Sequence, residues 1–141
     1  MSTPDSPPPF DPHDFPADLV AAQRDTVILA AELEAHAATL PWSREPHPGW
    51  PKVEERGREH EGRPESPGWT PEETAEYDRL RTALLEAATT VYGHPWWARC
   101  AQEGVKGPDM VKARQALRYA PGAVPDGQHT VLDQEDVDKA A

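Results

Sequence analysis

Histidine is the residue type in this sequence with the greatest capacity to bind a metal, and the chain has six. A zinc site needs three or four ligands at set spacings on a rigid frame. Glu32 and His36 are four residues apart and can share one helix face, while Glu59, His60 and Glu61 are consecutive. Neither set provides ligands in a recognised arrangement, and the chain has no Cys-x-x-Cys or His-Glu-x-x-His motif. The sequence therefore predicts no metal site and no cofactor.

Serine and cysteine supply the nucleophiles of many enzymes, but their positions here do not favour catalysis. The four serines lie in segments predicted as tail or loop, outside the strand-turn-helix context of a nucleophile elbow. The single cysteine, Cys100, follows Arg99, a neighbour that can lower the pKa of a thiol. Trp96 and Trp97 also precede it, which favours a small buried cysteine. We therefore predict that the protein is not an enzyme.

Residues 96–120 form the one locally basic stretch, with five basic and two acidic residues in a chain whose net charge is -11. In its middle, Gly104-Val105-Lys106-Gly107 joins two predicted helices, and free amides at a helix N-terminus attract anions. This loop resembles the DNA-backbone contact of helix-hairpin-helix proteins and the Gly-x-x-Gly loop of KH domains, which implies a role in phosphate binding. The candidate nucleic-acid or anion contacts are Lys106, Lys112, Arg114 and Arg118.

The sequence predicts two long amphipathic helices, and these must form the frame that positions the candidate residues. The first is predicted over 17–40, where apolar or small residues recur at the alternating three- and four-residue spacing of a coiled coil. Pro41 ends this helix, because the residue before a proline is driven out of the α region. The apolar stripe contains Leu19, Ala22, Leu29, Leu33 and Leu40.

The second long helix is predicted over 71–92 and has the clearest boundary signals in the chain. Thr70, Pro71 and Glu73 occupy the N-cap, first and third positions of a capping box. Because neither long helix is stable alone in water, we expect their stripes to meet each other or a second chain. The stripe of the second helix again has heptad spacing and contains Tyr77, Leu80, Leu84, Ala87 and Val91.

The segment between the long helices, 41–69, is rich in proline and tryptophan. Pro48-Gly49-Trp50 recurs as Pro67-Gly68-Trp69, and each Pro-Gly step is a turn signal. Residues 53–62 between these turns are highly charged and fit a short helix, and the chain has no β-hairpin signal. We predict a long connecting loop whose tryptophans hold it against the helices, because burying a tryptophan contributes on the order of a few kcal/mol.

Composition sets the remaining expectations. Of 141 residues, 17 are proline and only 21 are Leu, Ile, Val or Phe. This apolar content is too low for the whole chain to fold, so 1–16 and 121–141 are predicted to be disordered tails. The predicted fold class is all-α, with one small domain over 17–120 and helices at 17–40, 71–92, 95–103 and 108–120. No run of 18 apolar residues occurs, so no membrane span is predicted.

These features favour a small, acidic, cytoplasmic protein that acts by binding, and its many residues with GC-rich codons suggest a bacterial source. The expected partner is another protein or a second copy of the chain in a homodimer. The alternative is a nucleic-acid accessory protein that uses the basic 104–118 segment. The candidate partner contacts are Leu29 and Leu33 on the first stripe and Trp50 and Trp69 at the Pro-Gly-Trp turns.

Overall fold

The structure, a computed structural model, describes residues 8–125 of the chain. These residues contain four helices: α1 (Ala17–Ala37), α2 (Pro71–Tyr92), α3 (Pro95–Gln102) and α4 (Pro108–Leu117). They also contain one antiparallel sheet of two strands, β1 (Val53–Glu55) and β2 (Arg58–His60). The prediction of a mainly helical protein is confirmed, whereas the prediction of an all-α fold without strands is wrong.

Two helices end three residues earlier than the sequence predicts. α1 ends at Ala37 rather than at 40, and the amides of Thr39 and Leu40 bond to carbonyl oxygens three residues back, which tightens the last turn. α4 ends at Leu117 rather than at 120, in a turn of the same kind. Residues 1–7 and 126–141 of the two predicted tails lie outside the described residues.

The chain divides into two compact units. The first, which we call the helical unit, contains the described residues 8–28 and 84–125. It therefore includes the beginning of α1, the end of α2, and all of α3 and α4. The second, the ribbon unit, contains residues 29–83 and includes the sheet, the end of α1 and the beginning of α2.

The helical unit has a core of apolar and small side chains. Phe10 and Phe15 lie against this core, with ring centroids 5.2 Å from Trp96 and 6.3 Å from Trp97. Residues 8–16 of the first predicted disordered tail therefore pack on the unit, because aromatic contacts and apolar burial offset the conformational entropy that this segment loses. Ala123, which lies in the second predicted tail, is buried in the same core. The buried residues of the core are Leu19, Trp97, Cys100, Ala113, Leu117, Ala120 and Ala123.

A histidine caps the N-terminus of α3, which is only eight residues long. Nδ1 of His94 accepts a hydrogen bond from the backbone N–H of Trp96 at 3.0 Å. Nε2 of His94 lies 3.1 Å from Oδ2 of Asp18 in the first turn of α1. Since Nδ1 accepts, Nε2 carries the proton and donates it to the carboxylate. This hydrogen bond lowers the pKa of Asp18 below its ordinary value.

Residues 44–69 of the ribbon unit, predicted as a loop, fold back on themselves as one antiparallel ribbon, which we call the Trp ribbon. Backbone hydrogen bonds join residue 44 to 69, 47 to 66 and 50 to 63, and the β1–β2 ladder continues this register from Val53 and His60. Pairing therefore recurs at every third residue along each side until the strands begin. The prolines lie between the paired positions, where their missing N–H groups are not needed. They are Pro46, Pro48, Pro51, Pro64 and Pro67.

Glycine allows the two sides of the Trp ribbon to approach closely. Gly49 and Gly68 have φ angles of +76° and +79°, in the left-handed region that glycine adopts without strain. A Cβ at Gly49 would collide with the backbone of Arg63 and Pro64, and one at Gly68 would lie 2.8 Å from the Pro46 nitrogen. At both Pro-Gly-Trp sequences, therefore, the backbones of the two sides of the ribbon are in close contact.

The two strands are joined by a tight turn at Arg56 and Gly57. Both residues have positive φ, 54° and 75°, as the central residues of a type I′ hairpin turn require. The usual Asn-Gly or Asp-Gly signature is replaced by Arg-Gly, so the sequence carries no standard hairpin signal at this turn. The prediction of a short helix over 53–62 is wrong, because this segment is a hairpin.

α2 begins as its capping signals predict. Thr70 Oγ1 accepts a hydrogen bond from the Glu73 amide at 3.1 Å, and Glu73 Oε1 accepts one from the Thr70 amide at 2.8 Å. The capping box is therefore confirmed. Trp69, which precedes it, packs on Tyr77 with ring centroids 5.0 Å apart, so the Trp ribbon ends where the helix begins.

Candidate functional site

Three aromatic rings in the ribbon unit form a cluster that we call the aromatic surface. Trp42, His47 and Trp50 lie edge to face, with ring centroids 5.0 to 5.7 Å apart. The indole N–H groups of Trp42 and Trp50 donate to the carbonyl oxygens of Pro64 and Glu61, at 2.8 Å and 3.1 Å. These bonds fix the orientation of both indoles, while Trp50 keeps 46% of its surface in solvent.

A positive charge borders the aromatic surface. The guanidinium carbon of Arg63 lies 5.4 Å from the ring centroid of Trp42. A cation over an indole face contributes about 0.5–1 kcal/mol at an exposed site. Arg63 is also the backbone partner of Trp50, so one residue of the Trp ribbon supports both tryptophans of the surface.

The other three predicted partner contacts are less accessible than Trp50. Trp69 is half-buried beneath Arg44, whose guanidinium carbon lies 4.6 Å from its ring centroid, and its indole N–H donates to the Pro41 carbonyl at 2.9 Å. Leu29 and Leu33 are half-buried within the ribbon unit. Trp50 is therefore the only exposed residue of the four.

Sequence reasoning did not select Trp42 or His47 as contacts. His47 and Trp50 are three residues apart, and this spacing places them at successive paired positions of the Trp ribbon. The spacing is a usable signal only when the three-residue pairing is known, because a regular strand would place such residues on opposite faces. Trp42 lies outside the ribbon, and no local pattern links it to the other two rings.

The four predicted anion contacts separate into two groups. Lys106, in the loop before α4, and Lys112, on α4, are both exposed. Arg114 and Arg118, one helical turn apart, line the same cavity in the helical unit. Among residues 8–125, none of the ion pairs includes any of these four side chains. The structure therefore brings together two of the four predicted residues.

We call this space the Arg114 cavity, and its volume is about 190 Å³. The guanidinium carbon of Arg114 lies 4.6 Å from the ring centroid of Trp97 and 5.8 Å from that of Tyr92. Arg114 is half-buried, whereas Tyr92 at the cavity mouth is 74% exposed. Four apolar side chains line the cavity: Val91, Trp97, Val111 and Leu117. The polar lining residues are Gln23, Tyr92, Arg114, Gln115 and Arg118.

Cys100 lies in the core of the helical unit and has no exposed surface. Burial raises the pKa of its thiol, and the opposing effects of Arg114 and Arg99 are smaller. A thiol with a raised pKa stays protonated at neutral pH and is a weak nucleophile. Burial therefore raises the pKa of the Cys100 thiol by more than Arg99 lowers it.

Metal-ligating side chains do not converge in the described part of the chain, which holds no group of three His, Cys, Asp or Glu residues. His36 instead contacts the Glu73 carbonyl oxygen through Nε2 at 3.1 Å. Glu32, its predicted companion, is exposed on α1. No helix within residues 8–125 has both the length and the apolar character needed to cross a membrane.

Most of the chain matches a known protein family. A family model described as a domain of unknown function (DUF8825) matches residues 18–120. The chain belongs to this family. The DUF8825 match extends from the first turn of α1 to the turn after α4 and includes the Trp ribbon, so both units are part of the family domain. No curated protein and no solved structure matches the chain.

Proposed function

We propose that this member of DUF8825 is a non-catalytic interaction protein, and that it binds another protein through the aromatic surface of Trp42, His47 and Trp50. The exposure of Trp50 is the observation that carries the proposal, since covering a half-exposed indole releases free energy. Tryptophan is also enriched among the residues that dominate the binding energy of protein interfaces.

The aromatic surface is organised before a partner binds. Both indole N–H groups are bonded to backbone carbonyls, and the three rings contact one another. Immobilising a side chain at an interface costs about 0.5–1.5 kcal/mol, and a side chain that is already fixed avoids much of this cost. The arrangement therefore favours recognition of a partner and requires no reactive group.

Affinity capture tests this proposal. The full chain is immobilised, and captured proteins are compared between wild type, Trp50→Ala and Tyr119→Ala. Tyr119 is a matched control because it is an exposed aromatic residue of the helical unit, 74% accessible. A cytoplasmic extract of the source cells is the starting material, because we propose a cytoplasmic location from the single, free cysteine. Each captured protein is then purified and titrated against all three chains.

We expect a purified partner to bind wild type and Tyr119→Ala equally and Trp50→Ala at least tenfold more weakly, which corresponds to about 1.4 kcal/mol. Circular dichroism and backbone amide spectra of Trp50→Ala are the control that checks whether the Trp ribbon still forms. Equal binding by all three chains would show that the aromatic surface does not take part in the interaction.

We also propose that α1 and α2 pair as an antiparallel helical hairpin. Two contacts support this pairing. Asp18, near the beginning of α1, contacts His94, just after α2. His36, near the end of α1, contacts Glu73, near the beginning of α2.

Self-association of the chain in a homodimer would use the incompletely buried Leu29 and Leu33 of the α1 stripe. Sedimentation and circular dichroism of Leu33→Glu test both the stripe and the dimer. A charge at this position should lower the helicity, the mass in solution, or both, because an unpaired charge is costly at a packed seam. Unchanged helicity together with unchanged mass would contradict a packing role for the stripe.

The second candidate function is a nucleic-acid accessory role for the basic 104–118 segment. The observation that favours it is the exposure of two tyrosines in the same unit: Tyr92 and Tyr119 are both 74% exposed, and bases stack on such rings. Lys106 and Lys112 would contact phosphates. Fluorescence anisotropy with labelled single-stranded DNA and RNA, at low and raised salt, tests this function.

Nucleic-acid binding through these residues should weaken as salt is raised, because each phosphate contact releases counterions. The double substitution Lys106→Gln with Lys112→Gln should then reduce the steepness of the salt dependence. If neither oligonucleotide binds even at low salt, the accessory role is wrong.

A further inference from the structure

We propose that the Arg114 cavity binds a small carboxylate attached to an apolar group, such as an aromatic or branched-chain acid. The site lies in the helical unit and does not use the aromatic surface, so it goes beyond the proposed function and stands independently of it. Its basis is the combination of a fixed guanidinium group, further polar side chains at the same cavity, and an apolar wall.

Arg114 is placed to bind a carboxylate with both arms of its guanidinium group. Trp97 and Tyr92 restrict the orientation of this group, and contact with ring faces leaves its N–H edges available. No ion pair among residues 8–125 uses them. A carboxylate can accept two parallel hydrogen bonds from such a group, and its prior organisation reduces the entropy lost on binding.

Three other polar side chains reach the same cavity. Arg118 follows Arg114 by one turn of α4, and a second cation strengthens the attraction of a single negative charge. Gln23 and Gln115 add amide groups, which can donate to or accept from the ligand. A few convergent polar groups on a mainly apolar lining are typical of small-molecule sites.

The wall and volume of the cavity indicate what the carboxylate is attached to. Val91, Trp97 and Leu117 provide apolar surface beside the Arg114 guanidinium, so burying an apolar group there is favourable. The volume of about 190 Å³ lies below the roughly 300 Å³ at which pockets for drug-sized ligands begin. One ring or one branched aliphatic chain fits this space, whereas a nucleotide is too large.

Charge favours a singly charged ligand. The net charge of the chain is -11, and a dianion such as phosphate is repelled by this field more strongly than a carboxylate is. Inorganic phosphate also has no apolar part to place against Val91 and Leu117. The cavity should therefore discriminate against phosphate despite its two arginines.

The experiment is a titration of the full chain with benzoate, followed by the indole N–H signal of Trp97 in proton–nitrogen NMR spectra. Benzamide, which has a similar shape and no charge, measures the contribution of the ring alone. Sodium phosphate at the same ionic strength measures the contribution of charge alone. The indole signals of Trp42 and Trp50 report whether the ribbon unit responds.

Arg114→Gln and Arg99→Gln form a matched pair of variants. Both arginines lie over aromatic rings in the helical unit, but Arg99 is over Phe10 and is paired with Glu103 at 3.1 Å. Substituting Arg99 therefore removes the same charge and a similar stacking contact without altering the cavity. Arg118→Gln is a third variant, and because the Arg118 side chain is exposed, this substitution should leave the fold intact.

We expect benzoate to shift the Trp97 signal saturably, with at least tenfold weaker binding by Arg114→Gln, several-fold weaker binding by Arg118→Gln, and unchanged binding by Arg99→Gln. Benzamide and phosphate should each bind at least tenfold more weakly than benzoate. If Arg114→Gln fails to fold, the comparison of Arg118→Gln with Arg99→Gln decides the question. Equal binding of benzamide, equal binding of phosphate, an equal loss in Arg99→Gln, or no saturable shift would each overturn the proposal.

Discussion

The helical unit and the ribbon unit are ordered by different physical interactions. The helical unit encloses Leu19, Cys100 and Leu117 almost completely and surrounds them with small alanines. In the Trp ribbon, by contrast, the most deeply buried side chain is the polar Ser66, which is 2% exposed. Its hydroxyl contacts the Ser43 carbonyl oxygen at 3.4 Å and accepts from the Gly68 amide at 3.2 Å.

Hydrogen bonds and close backbone contacts replace an apolar core in the Trp ribbon. Trp42, Trp50 and Trp69 each donate an indole N–H to a backbone carbonyl. Their rings therefore stabilise the ribbon from its surface, and Trp50 keeps 46% of its surface in solvent. A proline-rich segment can therefore be ordered without a core when glycines permit close approach and tryptophans supply donors. Different substitutions should consequently destabilise the two units.

The largest expected effect comes from creating a cavity in the helical unit. Leu117→Ala should lower the free energy of unfolding of that unit by about 3 kcal/mol, because it removes apolar contacts that the surroundings only partly recover. Urea denaturation followed by circular dichroism measures this change. Leu85→Ala is the matched control, since Leu85 is 56% exposed and its loss should change stability by no more than about 0.5 kcal/mol. Equal effects of the two substitutions would contradict the assignment of the core.

In the ribbon unit, adding one methyl group should destabilise the local structure to a comparable extent. Gly49→Ala places a Cβ against the backbone of Arg63 and Pro64 at a positive φ, so the pairing of residue 50 with residue 63 should open. Hydrogen exchange of the Trp50 and Ser66 amides should accelerate strongly, while exchange in α4 stays unchanged.

Gly57→Ala is the control for the strain of positive φ alone, because a Cβ at Gly57 meets nothing within 4 Å. Its cost should be about 1–2 kcal/mol, confined to the hairpin turn. If Gly49→Ala and Gly57→Ala change amide exchange equally, the close backbone approach does not stabilise the ribbon.

A smaller effect is expected from the cap that joins α1 to α3. His94→Ala removes the acceptor for the Trp96 amide, and loss of an N-cap costs about 1 kcal/mol. Thermal unfolding at neutral pH measures this loss. A variant as stable as wild type would show that the α3 cap contributes nothing to the helical unit.

The contact of His94 with Asp18 should also give stability a dependence on pH. The pKa of Asp18 is lowered in the folded state, so its contribution is fully present above the ordinary aspartate pKa and is lost as the pH falls through the lowered value. The stability difference between wild type and Asp18→Asn should therefore shrink on acidification. A difference that stays constant down to acidic pH would contradict this linkage.

The smallest expected signal is the reactivity of Cys100. Because burial excludes reagents and raises the pKa of the thiol, labelling of the native chain by a thiol reagent at neutral pH should be slow. The rate should rise with denaturant in parallel with unfolding of the helical unit. Rapid labelling of the folded chain would show that this core opens readily, and would weaken the contrast between the units.

Elements whose signals lie within a few residues of each other can be predicted from the sequence. Thr70 and Glu73 set the beginning of α2 through a capping box, and Pro71, Pro95 and Pro108 are the first residues of α2, α3 and α4, because proline is tolerated in the first turn of a helix. Arg114 on α4 and Arg118, the residue that follows α4, line the same cavity for the same local reason, the helical repeat. The mainly helical character of the chain was therefore predictable without coordinates.

Contacts between residues that are distant in sequence depend on the tertiary structure. The Trp ribbon depends on pairs such as 47 with 66, whose three-residue recurrence belongs to neither the helical nor the strand period used to interpret sequences. Phe10 against Trp96, Asp18 against His94, and Trp97 beneath Arg114 likewise join residues that are far apart in sequence or on different elements. Such contacts form when burial and backbone bonding are satisfied over the whole unit, and so local sequence patterns do not encode the aromatic surface or the Arg114 cavity.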